Sequence, residues 1–298
     1  MAIMMLNGKP ISEEEATISV LDHGLLYGVG AFETFRIYQG HLFLIEDHLT
    51  RLEKFLQRMM ITLPYTRREW EEQIHELLQL NGMTEGIVRL SVTGGIEGLG
   101  LTASSYKRPS TMIFVRPLPF EPKQLFETGK KLQVVSVPRH AGGGLAPYKS
   151  NNYLNLILAR QEVSDFPHTE GLMITENGYL AEGIVSNLFF VRREKICTPG
   201  LDLGILPGIT RQWILHLAKS LGYKIEEGHY TLADLDQADE IFVTNSVQEI
   251  VPIYTWNGQR KQPRQSIVQQ LYQEYQKYTT KLRSINECLE GSMNDEQK

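Results

Sequence analysis

Ala146-Pro147-Tyr148-Lys149-Ser150-Asn151-Asn152-Tyr153-Leu154-Asn155 follows a glycine run, Gly142 to Gly144. Leu154, Ile157, Leu158 and Val163 come after it at helical spacing. The pattern predicts a loop entering a helix with one buried apolar face, and it puts Lys149 at the junction. A lysine is costly to bury unless it is paired or uncharged. A desolvated lysine loses proton affinity and can form a Schiff base with an aldehyde. Taken by itself the segment fits a surface lysine at a helix start better, since lysines are mostly exposed.

Downstream, Gly178-Tyr179-Leu180-Ala181-Glu182-Gly183-Ile184-Val185-Ser186-Asn187-Leu188-Phe189-Phe190-Val191 reads as a strand, a tight polar turn and an apolar strand. It puts the acid Glu182 between two small residues in a β-rich region. Near the start of the chain, Asp22-His23-Gly24-Leu25-Leu26-Tyr27-Gly28-Val29-Gly30-Ala31-Phe32-Glu33-Thr34-Phe35-Arg36 is a glycine-punctuated turn. It runs into a strand in which Phe32, Thr34, Arg36 and Tyr38 alternate with Glu33, Phe35 and Ile37. Leu44 to Met60 is an amphipathic helix, with Leu49, Leu52, Phe55, Leu56 and Met59 on one stripe and His48 and Arg51 in its H-L-T-R-L run. Leu206-Pro207-Gly208-Ile209-Thr210-Arg211 opens another helix, whose free backbone N–H groups form an anion site without help from side chains. Asp239 to Val247 is an apolar strand ending in Thr244, Asn245 and Ser246.

These segments, in this order, resemble the class IV aminotransferase family, the fold-type-IV pyridoxal-phosphate enzymes. The resemblance covers roughly residues 1 to 280. It implies an α/β (α+β) fold of two domains: a smaller N-terminal α/β domain, and a larger C-terminal β-rich domain with flanking helices. It also implies pyridoxal 5'-phosphate as cofactor, with Lys149 as the catalytic residue that carries it covalently and Glu182 paired with the pyridine nitrogen. Arg51, Ile209, Thr210, Thr244 and Ser246 would hold the phosphate, Leu206 would support one face of the ring, and Tyr153 would bond the phenolic oxygen. Arginine suits a phosphate because its planar fork donates two hydrogen bonds.

Within the family, the Y-G-x-G-x-F-E-T-F-R-x-Y pattern is most similar to the aminodeoxychorismate lyase branch. Branched-chain aminotransferases carry Phe-Glu-Gly where this chain has Phe32-Glu33-Thr34. D-amino-acid aminotransferases place an arginine and a histidine in the glycine-rich loop, where this chain has Leu99 and Leu101. The resemblance thus implies elimination of pyruvate from 4-amino-4-deoxychorismate, giving 4-aminobenzoate for folate synthesis, downstream of an aminodeoxychorismate synthase. The alternatives are a D-amino-acid or branched-chain aminotransferase and a non-catalytic binding protein that keeps the fold. Retention of both Lys149 and Glu182 disfavours the last. Tyr27, Phe32, Thr34, Arg89 and Arg139 are the candidate substrate contacts. The family also implies a homodimer.

The remaining features bound the class. The chain has 298 residues, 42% hydrophobic and 22% charged, with a formal net charge of −5. That charge argues against general nucleic-acid binding. The two cysteines, Cys197 and Cys288, lie in no metal-binding spacing, so no metal site is expected. No apolar run spans a membrane and no signal-peptide pattern opens the chain, so a cytoplasmic protein is expected. Asn7-Gly8 is the turn of an N-terminal hairpin. Thr66 and Glu69 form a capping box for a helix that ends at Asn81-Gly82. Gly86 to Val92 and Thr111 to Arg116 are strands around the glycine-rich loop. Pro117, Pro119 and Pro122 mark a linker. The expected division is 1–118 for the first domain, 119–130 for the linker, 131–282 for the cofactor domain and 283–298 for a disordered tail.

Overall fold

The computed structural model describes residues 2–102, 104–140, 144, 148–260 and 266–288. By backbone contact it divides into two compact units. One is Met1–Pro119 with Tyr148–Asn152 and Thr279–Lys298; the other is Phe120–Pro147 with Tyr153–Tyr278.

The first unit opens with the Asn7-Gly8 hairpin, β1 (Ile3–Leu6) and β2 (Lys9–Ser12). The short α1 (His23–Tyr27) follows, then β3 (Gly30–Tyr38), β4 (His41–Leu42), α2 (Ile45–Arg58), α3 (Arg67–Leu80), β5 (Gly86–Thr93) and β6 (Ser110–Arg116). The strands form an antiparallel six-stranded sheet in the order β2-β1-β6-β5-β3-β4. Alternation along β3 and β5 turns Phe35, Ile37, Val88, Leu90 and Val92 toward Leu49, Leu52, Phe55 and Leu56 of α2 and Ile74 and Leu77 of α3. The Thr66–Glu69 capping box that starts α3 is present.

The same alternation puts Glu33 on the core face beside Phe35. It is 1% exposed, and an isolated carboxylate there would be prohibitive. Helix α2 supplies the donors from positions one turn apart. Arg51 Nε and Nη2 donate to the two Glu33 oxygens at 2.8 and 2.6 Å, and His48 Nδ1 lies 2.7 Å from Oε2. Burial alone would raise the Glu33 carboxyl, but the Arg51 charge and the bonds from Arg51 and His48 outweigh it and hold it at about 2. Burial pushes His48 below its usual range, so the ring is neutral at pH 7.

The second unit contains α4 (Pro122–Thr128), β7 (Lys130–Val134), α5 (Leu154–Gln161), β8 (Thr169–Ile174), β9 (Leu180–Gly183), β10 (Asn187–Arg192), β11 (Lys195–Pro199), α6 (Ile209–Ser220), β12 (Lys224–Gly228), α7 (Leu232–Asp236), β13 (Glu240–Asn245), β14 (Glu249–Trp256), β15 (Gln259–Arg260) and α8 (Ile267–Gln276). Its sheet runs β12-β11-β10-β13-β14-β7-β8-β9, with β15 on β14. A further pairing of β9 with β10, Glu182 opposite Asn187, closes β10-β13-β14-β7-β8-β9 into a ring. Closure removes the free edges those strands would otherwise present. Leu172, Leu188, Phe190, Val243 and Val251 belong to its core. Cys197 is buried there as a small apolar residue.

Several expectations need correction. The helix predicted at Lys149 begins only at Leu154, and Lys149 to Asn152 belong to the first unit rather than to the second domain. The cause is strand-like pairing: Ser150 bridges Ala31, Phe32 N donates to Lys149 O at 3.0 Å, and Asn151 N donates to Gly30 O at 2.9 Å. The face of α5 expected to be buried is open, with Leu154 65%, Ile157 51% and Leu158 45% exposed, whereas Ala159 and Val163 are buried. Helical spacing says which side chains share a face, not what covers it. The expected 119–130 linker contains α4. Helix α8 ends at Gln276, and residues 261–265 lie outside the described residues. The segment expected to be disordered is held as far as it is described. Arg283 pairs with Glu71 and Glu46, and Ile285 N donates to Asp47 Oδ2 at 2.9 Å. Residues 289–298 lie outside the described set.

The Glu33 contact makes a pH-resolved prediction. Its carboxyl returns to about 4.5 on unfolding, so its contribution is complete above pH 4.5 and is lost as pH falls toward 2. His48 acts in the same direction, because the folded state resists its protonation below its ordinary pKa of 6.5. Glu33→Gln should cost on the order of 3 kcal/mol at pH 7, as expected for breaking a buried pair. It should also flatten the acid limb of stability. Urea unfolding of both proteins between pH 7 and 3 checks this; parallel acid limbs would refute it.

Candidate active site

Glu182 is the penultimate residue of β9 at 6% exposure, and its side chain meets three nitrogen atoms within the second unit. Arg139 Nε lies 2.7 Å from Oε1, while Asn187 Nδ2 and Leu206 N each donate to Oε2 at 3.1 Å. A carboxylate is an acceptor only; the ion pair at one oxygen and the two N–H donors at the other fix its orientation. Asn187 Nδ2 also donates to Leu206 O at 2.9 Å, which fixes the Leu206-Pro207-Gly208 segment against the strand. Two glycines make the arrangement possible. A Cβ on Gly208 would stand 2.1 Å from Asn187 Oδ1, and one on Gly183 would stand 2.1 Å from Ser186 Oγ and 2.5 Å from Glu170 Oε1.

Glu182, Asn187 and Thr244 are direct partners across β9, β10 and β13, so they project from one face. Thr244 is 1% exposed, and its hydroxyl has no hydrogen-bond partner among the described residues. Beside this row, α6 starts at Gly208 with no side-chain cap. Its first-turn N–H groups are therefore available to an anion. Thr210 Oγ1 lies 3.2 Å from Ser246 Oγ. Arg211, one residue on, is buried and bonds Pro199 O and Glu227, which ties the helix start to β11 and β12. An uncapped helix terminus, two adjacent hydroxyls, an orphaned buried hydroxyl and an oriented carboxylate suit a phosphorylated pyridine.

In the first unit Lys149 is half-buried, with Nζ 4.8 Å from the centre of the Phe32 ring. The Arg89 guanidinium covers the same ring at 3.6 Å. Arg89 is the cross-strand partner of Thr34, so Phe32, Thr34 and Arg89 share the face of the sheet opposite Glu33 and Phe35. The Asp22-His23-Gly24 motif anchors the glycine-rich loop. Asp22 accepts from Gly24 N, Thr93 and Ser110, and His23 lies 3.0 Å from Gly98 O and 3.1 Å from the Tyr106 hydroxyl. The Tyr27 hydroxyl accepts Gly100 N at 2.8 Å, and beyond it Leu99 and Leu101 are exposed.

The sequence-derived residues thus fall into two sets. Glu182, Leu206, Ile209, Thr210, Thr244 and Ser246 are brought together in the second unit. Lys149, Phe32, Thr34 and Arg89 are brought together in the first. Arg139 is corrected: its guanidinium lies on Glu182 instead of being offered to a substrate carboxylate. Arg51, expected at the phosphate, directs Nε and Nη2 to Glu33. Tyr153 is the residue before α5 and is half-buried. Asn187 was quoted in the S-N-L-F-F motif without a role; its place directly across the turn from Glu182 was the signal. Among the described residues, no group of three or more His, Cys, Asp or Glu could hold a metal ion.

Comparison with known proteins agrees with this geometry. The family profile described as Amino-transferase class IV matches residues 30–256. The aminodeoxychorismate lyase of Bacillus subtilis (strain 168) is 41% identical over 252 residues, covering 84% of this chain and 85% of that one. Among solved structures, 4-amino-4-deoxychorismate lyase from Pseudomonas aeruginosa superposes with a TM-score of 0.82 at 28% identity, covering 94% of this chain and 99% of that one. A branched-chain amino acid aminotransferase from T.th., solved with pyridoxamine 5'-phosphate, superposes with a TM-score of 0.84 at 28% identity and 94% coverage of each chain. An uncapped helix start, a carboxylate ringed by donors and a lysine set on an aromatic ring are accounted for together, because the chain belongs to the class IV aminotransferase family of pyridoxal-phosphate-dependent enzymes.

Proposed function

We propose that this protein is a 4-amino-4-deoxychorismate lyase, releasing pyruvate and 4-aminobenzoate. The observation that carries the reading is the 41% identity, over 84% of the chain, to an aminodeoxychorismate lyase. The side chains around Phe32 support it. Thr34 stands where branched-chain aminotransferases have glycine, and the glycine-rich loop ends in Leu99 and Leu101 instead of a cationic pair.

Bound pyridoxal phosphate supplies an electron sink for a developing carbanion. Lys149 would be the residue that holds the cofactor and would remove the proton from the substrate ring carbon that bears nitrogen. Loss of that proton and cleavage of the neighbouring C–O bond expel the enolpyruvyl group. It takes up a proton as pyruvate, and the ring becomes aromatic. Glu182 would pair with the pyridine nitrogen, with Arg139 and Asn187 fixing the carboxylate's orientation. Ile209 and Thr210 would hold the phosphate through backbone N–H groups, with Thr244, Ser246 and Arg51 as further donors. Leu206 would support the ring, and Tyr153 would bond the phenolic oxygen. Arg89 is the cation assigned to a substrate carboxylate, with Phe32 holding it in place by stacking. Tyr27 and Thr34 shape the same pocket.

A homodimer fits the exposed apolar side chains. Val20, Leu25, Leu99 and Leu101 in the first unit and Leu154 and Ile157 in the second are each more than half exposed. An aminodeoxychorismate synthase would supply the substrate, in the cytoplasm and for folate synthesis. Among the described residues no helix is long and apolar enough to cross a membrane.

The second reading is an aminotransferase acting on branched-chain or D-amino acids, favoured by the likeness to the branched-chain enzyme solved with pyridoxamine 5'-phosphate. A product assay separates the two. Purified protein given freshly generated aminodeoxychorismate should yield equal amounts of 4-aminobenzoate and pyruvate, much faster than it transfers amino groups from D-alanine, L-leucine or L-glutamate to a 2-oxo acid. Rapid transfer without 4-aminobenzoate would assign the protein to the aminotransferases. Lys149→Ala should lower turnover by a factor of about 10² or more, through loss of both the attachment point and the proton carrier. Near-normal turnover of that variant would exclude the mechanism. Glu182→Gln should retain the fold but bind pyridoxal phosphate about 10-fold more weakly, as titration of its visible absorption would show.

A further inference from the structure

Lys130 and Glu170 are almost wholly buried in the second unit, and neither takes part in the chemistry described above. Lys130 Nζ lies 3.7 Å from Glu170 Oε2, with side-chain exposures of 1% and 0%. That separation is an ion pair but too long for a hydrogen bond. Such a pair is a poor device for stability. Removing two ions from water costs several kcal/mol each, and well-packed apolar side chains often do as well or better. Burial pushes the Glu170 carboxyl up and the Lys130 ammonium down, so the fold opposes both charges.

Each member of the pair also reaches a turn that carries a cofactor contact. Glu170 Oε1 accepts Val185 N at 3.3 Å, within the turn that joins Glu182 to Asn187. Together with the nearer Ser186 Oγ, this carboxylate leaves no room for a Cβ at Gly183, which would stand 2.1 Å from that hydroxyl and 2.5 Å from Glu170 Oε1. Lys130 Nζ donates to Gln248 Oε1 at 3.2 Å. Gln248 closes the turn after β13: Asn245 Oδ1 accepts Val247 N at 2.9 Å and Gln248 N at 2.7 Å, and Asn245 Nδ2 lies 3.3 Å from Gln248 Oε1. Ser246 is the central residue of that turn, facing Thr210 at the start of α6. The connections run without a gap from Val185 through Glu170, Lys130 and Gln248 to Asn245.

We infer that Lys130 and Glu170 are positioning residues: a buried ion pair that ties the turn bearing Glu182 to the turn bearing Ser246 and so fixes the pyridine end of the cofactor cradle relative to its phosphate end. The inference rests on the assignment of Glu182 and Ser246 as cofactor contacts. It explains why two charges are kept where apolar packing would serve. An apolar pair fills the volume, but it can neither accept Val185 N nor donate to Gln248.

The test compares the unsubstituted protein with Lys130→Met/Glu170→Leu, which removes both charges and orphans neither, and with Glu170→Gln, which keeps the shape and one acceptor. Three quantities are read: thermal unfolding of the apoprotein, the Kd for pyridoxal 5'-phosphate by equilibrium dialysis, and the induced circular dichroism of the bound cofactor's visible band, which reports a fixed orientation. The double variant should unfold within a few degrees of the parent, bind the cofactor about 10-fold more weakly and lose much of the induced signal. Glu170→Gln should fall between the two. Parental Kd and parental signal in the double variant would overturn the inference and leave the pair a packing feature. If the double variant does not fold, the same parental values in Glu170→Gln would overturn it. Glu182→Gln and Ser246→Ala serve as references. If neither changes the Kd, the site assignment has failed; if both weaken binding while the pair variants do not, the bridge alone has failed.

Discussion

A carboxylate inside a β-sheet has to be surrounded by donors, and the two units of this protein are arranged around that requirement. In the second unit the carboxylate is Glu182. Its strand neighbour Asn187, the Leu206 backbone and Arg139 come from three separate stretches of chain, and each is drawn to the same two oxygens. Satisfying that one side chain closes the ring of strands and positions the loop before α6. The helix start that suits an anion is a consequence: Leu206 cannot meet Glu182 without bringing Gly208 and Ile209 alongside. Packing of apolar strands alone would tolerate a slipped hairpin; a buried carboxylate would not, because a slip would leave it without donors.

Glu33 plays the corresponding part in the first unit. It sits on the inner face of β3, and Arg51 and His48 occupy the two positions of α2 that reach it. The contact fixes the rotation of the helix about its axis, which apolar side chains alone set less sharply. It also orders the guanidinium of Arg51, whose planar fork is held along one edge.

Much of this was legible in the sequence because it is local. The Glu33-Phe35-Ile37 alternation, the stripe of α2, the capping box of α3 and the Pro207-Gly208 helix start are readable within a dozen residues. What could not be read is pairing over distance. Arg139 and Glu182 are separated by strands and a helix, so the arginine looked available for substrate. Lys149 looked like a helix start because Leu154, Ile157 and Leu158 follow at the right spacing. Its backbone partner, Phe32, lies far earlier in the chain, as does Ala31, which bridges the next residue, Ser150. Strand β14 gave no separate signal, since its burial comes from neighbours in the sheet and not from a distinctive alternation, and β12 gave none because it is largely exposed. The open face of α5 shows the same limit, because periodicity cannot tell a buried stripe from an exposed one.

The charge balance bears on how an acidic protein recognises an anionic cofactor. With a net charge of −5, the whole-molecule field does not attract phosphate or carboxylate. On the proposed function, recognition has to be local, and two physically different means are available. The second unit offers partial charge, at the uncapped start of α6 and on the hydroxyls of Thr210, Thr244 and Ser246. These need little desolvation and remain in place when the ligand leaves. In the first unit the proposed substrate cation is Arg89, whose guanidinium lies against Phe32. An aromatic face limits the freedom of a cation without consuming its N–H donors. Fixed partial charges would suit a resident phosphate that stays through many turnovers. A restrained full charge would suit a substrate that must bind, react and leave as products.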